Sequence, residues 1–313
     1  MFSRRQFLRY ATAATGFMGM GGYAFAYEPR VSLSVTEYAP RPANWPEALG
    51  LRIAVLTDIH IGGYAMPPER LQQIVARTNA LEPDLILLLG DYVMGYDPRH
   101  VPLAALAASI LGGLRAPLGV YGVLGNHDWW DDKLAQARRD GPTVTQIALE
   151  RVGIRVFEND GVKLLHNGRP FWLLGLGDAL AFHLRRGRVN GRAGDGRDDM
   201  PKTIAMLDDD APAILMAHEP DVFPEVPARV ALTLSGHTHG GQVRLFGWSP
   251  IVPSQYGNRY AYGAVVEGGR HLIVSGGLGT GELPVRFGMP PEIVLVTLGP
   301  PTRQAALPAA RAA

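Results

Sequence analysis

Short apolar runs recur along the first half of the chain, and each ends in a polar turn. Residues 51–57, 84–89 and 120–124 are such runs and predict buried strands. Residues 68–81 and 103–114 lie between them and carry apolar residues at helical spacing. Alternating strands and helices predict an α/β fold, in which polar ligand-binding residues gather beyond the carboxyl ends of the strands.

The second half of the chain is richer in short strands. Residues 155–157, 162–165 and 171–176 are separated by Asn-Asp-Gly and Asn-Gly turns, which predicts a meander of neighbouring antiparallel strands. Residues 213–216 and 230–234 are apolar and predict two further buried strands. The remaining predicted strands are 263–266, 272–275 and 293–298.

The first 26 residues predict a targeting segment. Arg4 and Arg5 stand near its start, residues 10–26 carry no charge, and Ala24-Phe25-Ala26 is an Ala-x-Ala cleavage pattern. The paired arginines resemble a twin-arginine signal, so we expect the twin-arginine translocon to export the chain to the periplasm or the outer face of the cytoplasmic membrane. The segment is short and glycine-rich for a membrane span, and its cleavage or retention as an anchor stays open.

The rest of the chain divides into three parts. Residues 27–48 predict a connecting segment with an edge strand at 31–38, followed by prolines. Residues 49–299 predict one domain, and the Ala/Pro-rich tail 300–313 is predicted to be disordered.

The amino-acid composition limits the class of protein, its partners and its possible metal ligands. Apolar residues make up 47% and charged residues 19%, as in a globular protein. The net charge of +1 gives no electrostatic case for binding long nucleic acids, although it says nothing about nucleotides. The chain has no cysteine, so a metal site would need His, Asp, Glu, Asn or water as ligands.

Five polar turns share one design, because each follows an apolar strand and carries Asp, Asn or His. Five of the nine histidines fall in these turns. In an extended turn the side chains of residues i and i+2 point the same way, so we expect His237 and His239 to face one point in space. Neutral imidazole is a common metal ligand. The turns are Asp58-x-His60, Gly90-Asp91, Gly125-Asn126-His127-Asp128, His218 and Gly236-His237-x-His239.

This ordered set resembles the calcineurin-like metallophosphoesterase superfamily over residues 49–299. Gly-His-Thr-His-Gly-Gly-Gln at 236–242 and the glycine-rich segment 277–286 resemble a bacterial exported or membrane-associated branch of phosphodiesterases and UDP-2,3-diacylglucosamine pyrophosphatases. The resemblance implies a four-layer α-β-β-α sandwich with two divalent metal ions at the strand ends. The mixed nitrogen and oxygen ligands suit Mn, Fe, Zn or Co.

The resemblance also implies roles for individual residues. One metal ion would take Asp58, His60, Asp91 and His239, and the other Asp91, Asn126, His218 and His237, so that Asp91 bridges them. His127 would stabilise the transition state and protonate the leaving oxygen, and a structural histidine next to the ligands is the alternative. Its orienting partner is open: the superfamily's aspartate position holds Met94, and Asp97 or Asp128 could replace it. Asp128 could equally be a structural cap.

Candidate substrate contacts are Arg286, whose guanidinium matches a phosphate group, and Trp129. Structural roles, an ion pair for Arg286 and packing for Trp129, are the alternatives. Trp130, Trp248 and Tyr256 could also shape an apolar substrate groove or be packing residues.

The sequence therefore predicts an exported phosphoesterase with two metal ions, in which metal-bound hydroxide attacks a phosphodiester or pyrophosphate. The expected partners are a small phosphoester or a lipid-linked cell-envelope substrate, with association to a membrane surface. The alternatives are a nuclease or cyclic-nucleotide phosphodiesterase, and a non-catalytic metal-binding scaffold.

Overall fold

Two six-stranded sheets pack face to face in the computed structural model, which describes residues 18–94, 100–183 and 195–300. The first sheet has the order β1-β12-β2-β3-β4-β5, and the second has the order β10-β11-β9-β8-β7-β6. Strands β2 to β5 are parallel, as are β7, β8, β9 and β11. The carboxyl ends of parallel strands therefore meet at one edge of each sheet.

The strands have these bounds: β1 Ser34–Tyr38, β2 Leu51–Leu56, β3 Leu85–Leu88, β4 Val120–Val123, β5 Arg155–Phe157, β6 Asp160–His166, β7 Arg169–Gly175, β8 Ala213–Met216, β9 Val230–Ser235, β10 Gly263–Glu267, β11 Arg270–Val274 and β12 Glu292–Leu298. The central strands β2, β3, β8 and β9 are buried almost throughout, as their unbroken apolar runs predict.

Helices cover the outer face of each sheet. The helices are α1 Pro68–Asn79, α2 His100–Leu111, α3 Asn126–Trp130, α4 Lys133–Arg138, α5 Val144–Arg151 and α6 Met200–Ile204. Helix α1 buries Leu71, Ile74 and Val75, the face that its helical spacing predicts. The layer over the second sheet is thinner, consisting of α6 and the 3-10 turns Pro220–Glu225 and Gly257–Tyr260. The expected four-layer α-β-β-α sandwich is confirmed.

Apolar side chains fill three layers between these elements. The central layer joins the two sheets through residues such as Val55, Leu87 and Leu232. The outer layers join the first sheet to α1 and α2, and the second sheet to Phe223 and Tyr260. Burying a large aliphatic side chain contributes roughly 1.5–3 kcal/mol, so these layers fix the positions of the strand ends.

The predicted meander is confirmed for its second and third strands and wrong for its first. Strand β5 pairs parallel with β4 in the first sheet, whereas β6 and β7 form a hairpin in the second. The chain crosses between the sheets at Asn159, whose φ is 53° and whose side-chain oxygen accepts hydrogen bonds from the backbone N–H groups of Gly177 and Asp199. Sequence spacing alone could not separate this crossing from a hairpin turn.

Residues 18–26 of the predicted targeting segment are helical and continue into a helix that ends at Arg30. We call residues 18–30 the N-terminal helix. Residues 1–17 of the predicted signal, and 301–313 of the predicted tail, lie outside the described residues. Within the described part of the chain, no helix combines the length and apolarity needed to cross a bilayer.

Candidate metal centre

The predicted ligands converge where the strands end. Asp58 and His60 follow β2, Asp91 follows β3, Asn126 and His127 follow β4, His218 follows β8, and His237 and His239 follow β9. Backbone hydrogen bonds hold the exits together: Asp58 N–H donates to the Gly90 oxygen at 3.1 Å, and Gly236 N–H donates to the His218 oxygen at 2.9 Å. A side chain at Gly236 would collide with Thr57 and Asp58, which explains the glycine there.

Five of these residues hold the left-handed backbone conformation that side chains rarely adopt. Their φ values are 51° at Asp58, 50° at His60, 56° at Asp91, 66° at His237 and 51° at His239. Such conformations cost on the order of 1–3 kcal/mol each and persist where the surrounding fold enforces them. The turn at His237 is therefore not extended. His239 joins Asp58 and His60 in one group of possible ligands, and His237 joins Asp91 and His218 in another.

The first half of the centre comprises Asp58, His60 and His239. The Nε2 atoms of the two imidazoles lie 3.1 Å apart, and His239 Nε2 lies 3.6 Å from Asp58 Oδ1. His60 Nδ1 lies 3.3 Å from the Val93 oxygen. Because a carbonyl oxygen can only accept, His60 Nδ1 donates this hydrogen bond, and Nε2 keeps its lone pair for a ligand.

The second half comprises His218, His237 and Asn126. His237 Nδ1 lies 2.8 Å from Asn126 Oδ1. His218 Nδ1 lies 2.6 Å from the Leu89 oxygen, to which it donates, so its Nε2 is left as the inward-facing atom.

Asp91 lies between the halves. Its Oδ2 atom is 3.4 Å from His60 Nε2 and 3.4 Å from His218 Nε2. The other oxygen, Oδ1, accepts a hydrogen bond of 2.8 Å from the His127 backbone. One carboxylate oxygen therefore faces both halves, as the predicted bridging role requires.

The electrostatics of the cluster suit cations. Burial lowers the pKa of His60 to about 3, and burial together with His60 and Arg286 holds the pKa of His239 well below its usual value. Both imidazoles are therefore neutral at pH 7 and can bind metal. Burial raises the pKa of Asp58 to about 6, and the nearby His218 opposes this shift. Buried imidazoles, carboxylates and an amide oxygen, without thiolate, fit divalent transition metals.

His127 is oriented by a residue that sequence reasoning missed. Its Nδ1 atom lies 3.4 Å from Oδ2 of Asp131, four residues later and one turn along the helical segment. The spacing of four residues between His127 and Asp131 could have identified this pair from the sequence, because residues i and i+4 are neighbours on a helix. Asp97 lies outside the described residues. Asp128 is a structural cap, because its buried carboxylate accepts hydrogen bonds from the backbone N–H groups of Asp91, Tyr92 and Gly125.

The two candidate substrate contacts are buried. The Arg286 guanidinium has no exposed surface and donates to the backbone oxygens of Gly276, Gly279 and Met289. Trp129 is 1% exposed and packs against Phe182. Neither side chain has surface on which a substrate could bind. Trp129 has the packing role of its alternative, whereas Arg286 is held by backbone oxygens and not by the ion pair of its alternative. Arg286 supports the centre instead, with its Nη2 atom 3.5 Å from His239 Nδ1.

A pair of acids lies behind the second half. Asp178, His218 and Glu219 offer ligand atoms within 4.8 Å of one another. Asp178 is 1% exposed and Glu219 is 3% exposed. Burial and the neighbouring Glu219 hold the pKa of Asp178 well above its usual value. Sequence reasoning did not identify this pair.

Comparison with known proteins agrees with this arrangement. The pattern of the calcineurin-like phosphoesterase family matches residues 51–241, which contain all seven predicted ligands. An uncharacterized metallophosphoesterase, YkuE, of Bacillus subtilis is 32% identical over 95% of this chain and 97% of its own length. Phosphodiesterase YaeI of Escherichia coli is 30% identical over 95% of this chain and 100% of its own length.

Among solved structures, the NAD nucleotidase NadN of Haemophilus influenzae is similar, with a TM-score of 0.47 and 15% identity. That similarity covers 74% of this chain and 46% of NadN.

Proposed function

Because the chain belongs to the calcineurin-like phosphoesterase family and is a metal-dependent phosphoester hydrolase, we propose that it cleaves phosphodiesters or pyrophosphates with two divalent metal ions. One observation carries the two-ion proposal: a single oxygen of Asp91 lies 3.4 Å from the inward nitrogens of His60 and His218. A carboxylate in that position can offset the repulsion between two cations.

Each half would hold one ion. Asp58, His60 and His239 would bind one ion, Asn126, His218 and His237 would bind the other, and Asp91 would bind both. Two ions at such a site polarise a phosphoryl group and lower the pKa of water for attack near neutral pH. The mixed oxygen and nitrogen ligands favour Mn, Fe, Zn or Co.

His127 would deliver the proton to the leaving oxygen. It lies at the start of α3 beside Asn126, with a ring 4.9 Å from the His60 ring, and a tenth of its side chain is exposed. The Asp131 carboxylate lies next to Nδ1 and would hold the ring with Nε2 toward the open side of the site. A positioned imidazole of this kind typically contributes 10²- to 10⁴-fold, an order-of-magnitude figure.

The diester preference rests on the relative named a phosphodiesterase, not on site geometry. We propose in addition that the chain is exported through the twin-arginine translocon and acts on a lipid-linked or envelope substrate. The motif Ser3-Arg4-Arg5-Gln6-Phe7-Leu8 and the uncharged residues 10–26 support export.

Metal content and ester preference test the proposal together. The full-length chain would be purified without chelator, its metal per chain determined, and hydrolysis of bis-p-nitrophenyl phosphate compared with that of p-nitrophenyl phosphate. We expect about two ions per chain and faster hydrolysis of the diester.

Two results would contradict the proposal. A chain that takes up neither Mn nor Zn would overturn the two-ion site and favour the scaffold alternative. Preference for the monoester with two ions bound would overturn the diesterase assignment and leave the hydrolase intact. A single-stranded oligonucleotide and a cyclic nucleotide, assayed in parallel, address the nuclease and cyclic-nucleotide alternatives.

A further inference from the structure

Exposed apolar side chains occur on the N-terminal helix and on the segment after β9, two stretches of chain that meet at Phe287. We call this surface the apolar face. Large exposed apolar patches on soluble proteins usually mark a binding surface. The apolar face consists of Met18, Met20, Tyr23, Phe25 and Tyr27 of the N-terminal helix, Leu245, Phe246, Trp248 and Ile251 of the segment after β9, and Leu283.

Phe246 is the most unusual member. Leu245 and Trp248 exchange backbone hydrogen bonds of 2.8 and 3.0 Å, which closes a two-residue hairpin over Phe246 and Gly247. Both central residues have positive φ, 51° at Phe246, where Asn or Gly is the usual choice. The Phe246 ring is fully exposed. A bulky aromatic therefore stands at a strained, solvent-facing tip, which points to a function outside the fold.

The hairpin and the N-terminal helix are joined through Phe287. Arg244 N–H donates to the Phe287 oxygen at 2.8 Å, and the Phe287 ring lies 6.0 Å from the Tyr23 ring. Arg286 N–H donates to the Ala24 oxygen at 2.9 Å, and its guanidinium reaches His239. The apolar face is thus continuous with the support of the metal centre.

Glu28 fastens the helix. Its buried carboxylate accepts hydrogen bonds from the backbone N–H groups of Gly288, at 3.1 Å, and Met289, at 2.6 Å. The cleavage pattern Ala24-Phe25-Ala26 consequently lies inside a helix that packs on the domain, and Ala24 is itself buried. Signal cleavage would remove Tyr23 and Phe25 from the apolar face.

The residues that lead into the N-terminal helix indicate what binds to the apolar face. Residues 10–22 carry no charge, and Arg4, Arg5 and Arg9 precede them. An apolar segment with basic residues at its end suits the interface of an anionic bilayer. The face itself offers Trp248, Tyr23 and Tyr27, the amphipathic aromatics enriched at membrane interfaces.

We propose that the N-terminal helix is retained and that the apolar face lies on an anionic phospholipid bilayer, with the Phe246 hairpin inserted at the interface. The proposal stands apart from the diesterase reaction. It places the metal centre next to the bilayer surface, through Arg286 and His239.

Trp248 provides a direct test. It is 58% exposed, whereas Trp45, Trp129 and Trp172 are 7% exposed or less and Trp130 is only partly exposed. The full-length chain would be mixed with phosphatidylglycerol-containing vesicles whose acyl chains carry bromine, a quencher of tryptophan fluorescence. We expect flotation with the vesicles and quenching, which Trp248→Phe removes. We also expect Phe246→Asn and Ile251→Ser each to weaken vesicle affinity about tenfold, measured by titrating the quenching with lipid.

The control is Leu165→Ser, which removes a comparably exposed apolar side chain from β6, the far edge strand of the second sheet. It should leave quenching unchanged. Phe246→Asn should keep the melting temperature, because Asn accepts positive φ.

Flotation without Trp248 quenching would overturn the proposal, because residues 1–17 alone would then bind the lipid. Absence of flotation would also overturn it, as would a dimer that Phe246→Asn dissociates, since a second copy would then cover the face. Hydrolysis of soluble esters is measured without lipid, so failure of the two proposals can be told apart.

Discussion

The two halves of the metal centre share Asp91 but differ in their surroundings. Around the first half, His60 and His239 are neutral, their rings stack at 5.0 Å, and the Arg286 guanidinium lies behind His239. Around the second half, Asp178 and Glu219 lie behind His218. Acidic surroundings strengthen cation binding and a neighbouring cation weakens it, so the second half should hold its ion more tightly.

The largest effect is expected where the halves meet. Asp91→Asn keeps the size of the side chain but removes the charge that both ions would share. We expect loss of both ions and a fall in diester hydrolysis of about 10³-fold or more, measured by metal analysis and initial rates. Glu225→Gln, at the exposed end of the turn after His218, is the control and should behave as wild type. Retention of two ions in Asp91→Asn would contradict the bridging role.

A variant of His127 distinguishes a metal ligand from a proton donor at this position. One of its ring nitrogens lies within 4.8 Å of ligand atoms of His60 and Asp91, so it could be a metal ligand instead of a proton donor. We expect His127→Ala to keep both ions and to lower the hydrolysis rate about 10²- to 10³-fold. Loss of an ion in this variant would reassign His127 to the first half.

Glu219→Gln addresses the difference between the halves directly. Removing the acid behind His218 should weaken binding of the second ion about 10- to 100-fold and leave the first nearly unchanged. Titration of the wild type with a chelator should release the first-half ion first, and the variant should lose that order. Equal release of both ions from the wild type would contradict the comparison.

Asp131→Asn should give the smallest effect. The amide can still contact His127 but no longer carries the charge that favours one ring orientation, so we expect about a tenfold loss of rate with unchanged metal content and an altered pH profile of the rate. Asp132→Asn is the matched control, because Asp132 caps α4 through the Leu134 and Ala135 N–H groups. Control and variant losing rate equally would indicate a structural role for both.

Much of the fold and the ligand set could be predicted because they depend on local patterns. Apolar runs at 51–57 and 230–234 gave buried strands, and polar turns after them gave the ligands. The ligands then converge in space because the strands pair in parallel, which brings their carboxyl ends to one edge of the sheet.

The failures depend on contacts that no local pattern contains. The Arg286 guanidinium is held in the interior by three backbone oxygens between residues 276 and 289. The sequence shows that a guanidinium can match a phosphate group, but it does not show these backbone partners. The left-handed backbone at His237 and His239 was not predicted, because the turn that holds it forms only when the strand ends pack together. The pair Asp178 and Glu219 is 41 residues apart in the chain and meets only after folding.

The distance along the chain between ligands has a consequence for biogenesis. His60 and His239, whose ring nitrogens lie 3.1 Å apart, are separated by 179 residues. The two ligands follow β2 and β9, which belong to different sheets, so they meet only when both sheets are assembled. A nascent or misassembled chain would offer scattered ligands, and metal uptake would therefore distinguish the folded molecule from an incomplete one.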